Sequence, residues 1–263
     1  MYSVAMPNLF LKIFRQMLFY FLLIGFWYLL SSMKLWPQYQ FPSPEQVLEA
    51  LREGVQNRSF LLGILVSMKR IVLGYLIAVI FGVTLGFLIG KVRILDETIG
   101  GLFVGLQTLP SICWLPLAML WFGKNEMAIT FLVVSGSLLS IAIATDSGIK
   151  SIPINYLQAG KNMGAHGKQM LMEVVIPASL PSILIGLKQG WIFAWRSLMA
   201  GEMLFMTLGL GHLLNVGREL QDMSQVIAVM IVIVAVGIFM DNFVFGLLEK
   251  KVRKVWGLDT QPR

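Results

Sequence analysis

Residues 153–181 read PINYLQAGKNMGAHGKQMLMEVVIPASLP and form the longest polar break between strongly apolar parts of the chain. A helix can run over about 154–163, and Gly164 is well placed to end it because glycine readily adopts the left-handed conformation that terminates helices. A second helical run over about 168–175 leads to two prolines, which we expect to break the helix before the next apolar segment. The stretch therefore predicts two short helices that lie outside the apolar segments.

The first of these helices has an apolar side. Tyr156, Leu157, Ala159 and Met163 contribute to it. A short helix with an exposed apolar side needs something to cover that side. Either the helix lies on the membrane part of its own chain or it docks into a partner protein, and the pattern alone favours neither alternative.

The composition of the whole chain is that of a membrane protein. Of its 263 residues, 57% are hydrophobic and 13% are charged, and the mean hydropathy is +0.76. A typical soluble domain has about a quarter of its residues charged, whereas several runs here approach or exceed the ~20 apolar residues that cross a bilayer. The net charge of +7 therefore indicates basic cytoplasmic loops, and we expect no nucleic-acid partner.

Six apolar runs predict an all-α integral membrane protein with about six transmembrane helices. The first run follows Lys12 and Arg15 as in a signal peptide, but no convincing cleavage site follows it, so we interpret it as an uncleaved span. Pro110 and Pro116 interrupt the third run. The predicted spans cover about 16–33, 64–90, 99–121, 127–145, 183–206 and 225–248.

Charge and capping signals organise the segments between the spans. Ser43 to Gln46 reads as a capping box with proline at the first helical position, which predicts a surface helix outside the membrane. Lys and Arg are more frequent on the side of the N-terminus, which favours both termini in the cytoplasm. The predicted regions are 1–40 (N-terminal tail and first span), 41–60 (external surface segment), 61–249 (membrane core with the cytoplasmic loop 153–181) and 250–263 (basic cytoplasmic tail).

Metal and nucleotide chemistry are not expected in this chain. The single cysteine, Cys113, excludes a disulfide within the chain, and two histidines, His166 and His212, do not favour a metal site. The nearest approach to a phosphate-binding loop, at 86–92, has the wrong spacing and lacks the hydroxyl residue. We therefore expect no ATP hydrolysis, and no enzymatic activity, from this chain itself.

Small residues recur at every fourth position along the second span. On a helix this spacing produces a slowly drifting stripe at which a neighbouring backbone can approach closely. Glycine is common in membrane helices, but five small residues in register favour a packing face. The stripe consists of Gly74, Ala78, Gly82, Gly86 and Gly90.

The polar stretch resembles the signature loop of the inner-membrane permease subunits of ABC importers. That loop reads Glu-Ala-Ala, three residues, Gly, nine residues and then Ile-x-Leu-Pro. Here QAG (158–160) precedes Gly164 at the same spacing, and VVIP (174–177) follows after nine residues. Two positions depart from the pattern. Gln158 replaces the acidic residue, and Gly160 replaces the second alanine at a cost of about 1 kcal/mol in helix propensity.

Further segments resemble the nitrate/sulfonate/bicarbonate/taurine branch of these permeases, and the similarity runs from about Phe41 to Gly257. The segments are LQTLPSICWLPLAMLWFG (106–123), TDSGIKSIP (145–153), AWRSLMAGEML (194–204), LGLG (208–211) and Asp241.

The resemblance implies a type I ABC importer permease in the cytoplasmic (inner) membrane, surrounded by lipid. It implies a second permease copy in a homodimer, two cytoplasmic ATP-binding subunits and an extracytoplasmic substrate-binding protein. ATP and Mg²⁺ would bind the ATPase subunits, with no cofactor in this chain. The implied substrate is a small anion or organosulfonate of the sulfonate, taurine, nitrate or bicarbonate class. The residues implied to couple to the ATPase are Tyr156, Leu157, Gln158, Ala159, Gly160, Met163, Gly164 and Pro177.

Charged and broken segments within the spans are candidates for the translocation pathway. Arg196 and Gln189 lie on nearly the same face of the fifth span, whereas Glu202 lies about a third of a turn away. Each charge is either a pathway group, with Arg196 as a cationic site for an anion, or part of an interhelical ion pair. Ser111 and Trp114, beside the prolines of the third span, either line the pathway or mark a plain kink.

Asp241 lies toward the inner end of the sixth span, near Lys250, and we interpret it as structural. Alternative functions are an ABC permease for a thiamine-precursor-like molecule, a secondary transporter or channel that needs no ATP, and a membrane scaffold.

Overall fold

The computed structural model describes residues 9–205 and 207–256, which contain helices and no β-strand. Short π-helical segments at Asp96–Gly100, Leu171–Val175 and Met240–Phe245, and a 3₁₀ turn at Ser111–Trp114, connect or extend the α-helices. The α-helices are α1 (Leu9–Ser32), α2 (Pro44–Gln56), α3 (Ser59–Lys91), α4 (Arg93–Leu95), α5 (Gly101–Gln107), α6 (Leu115–Phe122), α7 (Glu126–Lys150), α8 (Ile154–Asn162), α9 (Gly167–Met170), α10 (Ile176–Phe205), α11 (Leu210–Glu219), α12 (Met223–Phe239) and α13 (Gly246–Val255).

The described helices form two compact units. One contains residues 9–61 and 213–232, and the other contains residues 62–205, 207–212 and 233–256. In the first unit, α2 begins at the predicted capping box. The Ser43 N–H donates to Gln46 Oε1 at 2.9 Å, and the Gln46 N–H donates to Ser43 Oγ at 3.3 Å. The candidate site residues all lie in the second unit.

The second unit is built around α3, α7 and α10. The four glycines of the predicted stripe on α3 face α7, where an added Cβ atom would lie closer to α7 atoms than ordinary van der Waals contact allows. At Gly86 the obstacle is the backbone carbonyl of Ala142, which cannot move aside like a side chain. Along this contact, residue numbers increase in the same direction on both helices, so α3 and α7 run parallel. The contacts are Gly74 with Val133, Gly82 with Ile141, Gly86 with Ala142 and Gly90 with Ile149.

Helix α10 packs on α7 through a second stripe of small residues, which the sequence analysis did not single out. Along this stripe the residue numbers of α10 rise as those of α7 fall, so the two helices are antiparallel. Small residues again bring the backbones close together, as is common between membrane helices. The contacts are Gly148 with Ser182, Ala144 with Gly186, Gly136 with Ser197 and Leu132 with Gly201.

These directions decide how the third predicted span is built. Because α3 and α7 are parallel, the end of α3 at Lys91 and the start of α7 at Glu126 lie at opposite ends of the unit. The chain between them must therefore cross the unit once. It does so as a bent pair of helical segments, Arg93–Gln107 and Ser111–Phe122, at an angle of 106°. Within residues 9–205 and 207–256, five further helical stretches are long and apolar enough to span a membrane, so the bent pair makes six.

The prolines act differently from the prediction. The third span breaks at Thr108–Pro110, whereas Pro116 lies in the first turn of α6, where a missing N–H removes no helical hydrogen bond. Pro177 and Pro181 do not separate the polar loop from the fifth span. The π-helical segment 171–175 continues directly into α10, which contains both prolines.

We name the two ends of this unit by their contents. The α8 end contains the ends of α3 and α7, the start of α10 and the loop 151–175 between α7 and α10. The Glu202 end contains the start of α7 and the end of α10.

Candidate functional site

The candidate coupling loop begins with α8, which ends in a Schellman motif. The Gly164 N–H donates to the Lys161 carbonyl at 3.0 Å, and the Ala165 N–H donates to the Gly160 carbonyl at 2.9 Å. Gly164 has a φ of +84°, a left-handed backbone conformation that residues other than Gly and Asn rarely adopt. The helix and the glycine stop expected from the sequence are therefore present.

Gly160 lies where α8 packs against the π-helical segment 171–175. The residue is buried, and a Cβ atom added there would lie 2.9 Å from Val174 Cγ2 and 3.2 Å from Met170 Sδ. Glycine in place of the usual alanine therefore lets α8 approach the start of the fifth span more closely. Gln158, the other departure from the pattern, is exposed, and its amide has no hydrogen-bond partner among the described side chains.

One side of α8 presents apolar groups that the described part of the chain leaves uncovered. Tyr156 and Met163 are 54% and 87% exposed, and Ala159 is also exposed. Leu157 is half-buried, and Pro177 lies in the first turn of α10. The chain's own membrane unit partly covers Leu157 but leaves Tyr156 and Met163 uncovered. The first of the two alternatives for the apolar side therefore holds only for Leu157.

The break in the third span forms a cavity of about 220 Å³ against α7 and α10. Its wall contains both predicted residues, Ser111 and Trp114, together with the hydroxyl groups of Thr108 and Ser135. The break thus places polar side chains and irregular backbone against a cavity, the setting in which a membrane helix tolerates a break.

Gln189 and Arg196 lie on the outward face of α10, about a quarter of a turn from the stripe that packs on α7. Both side chains are exposed, and no described carboxylate forms an ion pair with Arg196. The surroundings of Asp241 differ from those expected from the sequence. Its Oδ1 atom lies 2.7 Å from Nζ of Lys188 on α10, so its partner is a neighbouring span and not the basic tail.

Glu202 is completely buried and takes part in a network that ties the three central helices together. Arg70 Nη1 on α3 donates to Glu202 Oε1 at 2.9 Å, and Ser67 Oγ donates to the same carboxylate at 2.8 Å. Arg70 also forms a two-point ion pair with Glu126, the first residue of α7, with Nε 2.7 Å from Oε2. One guanidinium group therefore joins α3, α7 and α10.

The same network holds the backbone that follows α10. The Gly211 N–H donates to Glu202 Oε2 at 3.0 Å, the Leu210 N–H donates to Ser67 Oγ at 3.0 Å, and the Leu208 carbonyl accepts a hydrogen bond from Arg70. Gly209 lies directly against the carboxylate, where a side chain would collide with it. Of the two roles left open for Glu202, these contacts are those of an interhelical ion pair.

Comparison with known proteins identifies the family. The family model described as "binding-protein-dependent transport system inner membrane component" matches residues 78–254, which extend from α3 to α13 and include α8 and its Schellman motif. The chain belongs to this family. It is therefore an inner-membrane, multi-pass permease subunit of an ABC importer, with the type I importer fold.

Named relatives cover most of the permease. It is 38% identical over 179 residues to a protein of Methanocaldococcus jannaschii named as an ABC transporter permease, covering 68% of this chain and 67% of that one. The nitrate import permease of Synechocystis is 28% identical over 220 residues, 80% of each chain. The taurine transport system permease of Escherichia coli is 28% identical over 228 residues, 83% of this chain and 82% of that one.

Sequence reasoning did not find the partners of Glu202 in this permease. A signal was available, because Arg70 and Glu202 are opposite charges in apolar runs and each is costly without a partner. Their pairing nevertheless depends on which helices are neighbours and in which direction they run. Lys188 and Asp241 are a second pair of this kind.

Proposed function

We propose that this permease passes a small anion or organosulfonate across the cytoplasmic membrane, driven by separate ATPase subunits that dock on α8. The names of its relatives support the substrate class, since nitrate is a small oxyanion and taurine carries a sulfonate group. The proposal that an ATPase docks on α8 rests on the uncovered apolar side of this helix. Tyr156 and Met163 project from a helix whose end is fixed by hydrogen bonds and whose buried side is fixed at Gly160.

The distribution of charge supports a cytoplasmic location for the α8 end. Basic residues are abundant there and sparse at the Glu202 end of the second unit, as the positive-inside rule requires. In this orientation a permease with six spans would have both termini in the cytoplasm, and an extracytoplasmic binding protein would deliver substrate at the opposite face. The basic residues at the α8 end are Lys91, Arg93, Lys150, Lys161, Lys168, Lys250, Lys251, Arg253 and Lys254.

In this proposal α8 fits a groove of an ATPase that binds ATP and Mg²⁺. A rigid connection would carry movement from the ATPase into the membrane, because the π-helical segment 171–175 runs from the loop into α10 without a break. Exposed Gln158 would then meet its ATPase partner through amide hydrogen bonds, without an ion pair.

The outward face of α10 supports the proposal of two permease copies around one pathway. A charged side chain in the middle of a span costs roughly 3 kcal/mol or more when it faces lipid. Arg196 is exposed on this face with no described carboxylate partner, so the face needs water or protein beside it. A second copy of the permease that encloses a water-filled path with the first would supply both protein and water beside this face. The broken third span, with Ser111 and Trp114, adds polar groups to the same proposed pathway.

Replacing Arg196 with alanine tests the pathway directly. We expect ATP-dependent uptake of the anion to fall at least about tenfold, the loss equivalent to about 1.4 kcal/mol of interaction, while the complex with the ATPase still assembles. Arg93→Ala is the matched control, since Arg93 is an exposed arginine paired only with Glu97 on the same helical turn. Unchanged uptake in Arg196→Ala, or failure of that variant to fold and assemble, would assign Arg196 a structural role or none.

A further inference from the structure

An ion pair between Lys188 and Asp241 joins α10 to the last span. Lys188 is near the midpoint of α10, and its Nζ atom lies 2.7 Å from Asp241 Oδ1. The side chains are 37% and 46% exposed, so neither charge is enclosed by described protein. A buried ion pair that only holds two helices together is normally surrounded by groups that satisfy its remaining donors and acceptors. Neither side chain of this pair has another hydrogen-bond partner among the described residues.

The pair lies between two adjoining cavities. One, of about 470 Å³, extends toward Glu249 and Arg253, and the other, of about 430 Å³, extends toward Arg196. Both cavities are lined by Lys188, and they also share Ile192 and Phe245. They therefore form one groove between α10 and the last span, with the ion pair at its centre.

The last span departs from α-helical geometry at this point. Met240–Phe245 is π-helical, and Asp241 lies in this segment. π-Helical turns are rare and frequently occur at functional sites, because the wider turn re-aims a side chain at the expense of regular hydrogen bonding. Here the re-aimed carboxylate reaches Lys188 across the groove.

Positive charge along the groove exceeds negative charge. Glu249 pairs with Arg253 at 2.8 Å and Asp241 pairs with Lys188, whereas Arg196 has no described carboxylate partner. An oxyanion in the groove would meet the guanidinium of Arg196 and the ammonium of Lys188. The three oxygen atoms of a sulfonate, nitrate or carbonate group match such donors, in the way that a carboxylate does.

We propose that this groove binds the transported oxyanion between Arg196 and Lys188, and that Asp241 competes with the anion for Lys188. This inference rests on the proposed function of anion transport. When no anion is present, Asp241 neutralises Lys188. When an anion enters, it takes the place of the carboxylate, and the return of Asp241 promotes its release. A permeation site must bind its ion well enough to admit it and weakly enough to let it leave, and an internal competitor satisfies both conditions.

Cysteine labelling tests whether the groove is an aqueous, anion-selective site. In the full chain with Cys113→Ser, which removes the single native cysteine, Ile192→Cys places one thiol in the wall of both cavities. We expect a sulfonate-bearing methanethiosulfonate reagent to react about tenfold or more faster than its trimethylammonium analogue, the range of electrostatic focusing in a cleft. Nitrate or taurine in the medium should slow the reaction, and Arg196→Gln should remove both effects. Equal rates for the two reagents, or no reaction with either, would overturn the proposal.

Variants of the pair separate competition from simple support. Asp241→Asn should let nitrate or taurine protect the thiol at lower concentration, because the competitor is gone. Lys188→Met combined with Asp241→Asn should assemble normally, because no charge is left unpaired, and should lose the protection. The matched control is Arg93→Met with Glu97→Gln, which removes an exposed ion pair outside the groove. A purely structural pair predicts that the double variant keeps full protection, and this result would refute the competition.

Labelling needs neither ATP nor the partner subunits, so the two proposals fail in different ways. Uptake that depends on ATP, without protection of the thiol, would refute the groove and leave the transport function standing. Protection of the thiol without ATP-dependent uptake would support the groove as an anion site and refute ATP-driven transport.

Discussion

Arg70→Ala is expected to destabilise the permease by about 3–5 kcal/mol, the cost of breaking a buried ion pair by removing one partner. The Glu202 carboxylate is completely buried, and among the described residues the Ser67 hydroxyl and the Gly211 N–H would be the donors left to it. The ion pair with Glu126 and the hydrogen bond to the Leu208 carbonyl would be lost as well. The unfolding transition of the purified protein, followed by heating or by titration with denaturing detergent, measures the loss.

A double variant distinguishes an unpaired charge from lost packing. Arg70→Met with Glu202→Gln removes both charges and keeps an acceptor for the Gly211 N–H, so it should recover most of the stability. Arg70→Lys should fall between the wild type and the alanine variant, because one ammonium group cannot reproduce the fork that reaches two carboxylates. If the double variant is as unstable as Arg70→Ala, the network is not held together by this ion pair.

Gly164→Val is expected to weaken docking of the ATPase and, with it, ATP-driven transport. Valine at a φ of +84° costs about 1–2 kcal/mol, and α8 would relieve the strain by giving up the Schellman hydrogen bonds at Lys161 and Gly160. The exposed side of α8 would then lose its fixed orientation. Copurification of the ATPase and ATP-dependent uptake, both measured on the reconstituted complex, should fall together.

Asparagine at the same position supplies the matched control. Asn tolerates the left-handed conformation better than any other residue with a side chain, so Gly164→Asn should retain most of the docking and uptake. Gly101→Val is a second control, because Gly101 has an ordinary helical φ of −62° and open space around it. If Gly164→Val docks and transports like the wild type, α8 is not the connection to the ATPase.

Local signals in the sequence were sufficient where the structure depends on neighbouring residues. The capping box at Ser43, the helix at 154–162 and its stop at Gly164 follow from backbone chemistry within a few positions. The stripe at Gly74–Gly90 could be read as a packing face because helical period and residue size determine which residues can approach a neighbour. The partner helix, α7, could not be identified in this way.

Features that depend on the arrangement of the helices were missed. Arg70 and Glu202 meet because α3 and α10 come close at the end of the bundle, although 132 positions separate the two residues. The path of the third span became clear only from the parallel directions of α3 and α7. Pro181 was expected to break a helix, yet α10 continues through it because its close packing on α7 outweighs the lost hydrogen bond.

The two ends of the central unit differ in how they are held. At the Glu202 end, buried charges and backbone donors join three helices and the segment 208–211. At the α8 end, the corresponding ion pairs of Lys150 with Asp96 and Asp146 are partly exposed, and surface pairs contribute little stability. We therefore expect the α8 end to rearrange more readily when an ATPase moves.

Uptake by the reconstituted complex tests whether this permease imports anions at the expense of ATP. The permease is placed in liposomes with its ATPase inside and its binding protein outside, and labelled nitrate, bicarbonate, taurine and a second alkanesulfonate are offered in turn. We expect at least one of these anions to accumulate only when ATP, the ATPase and the binding protein are all present. Equal uptake without ATP, or a purified permease that never retains an ATPase, would contradict it.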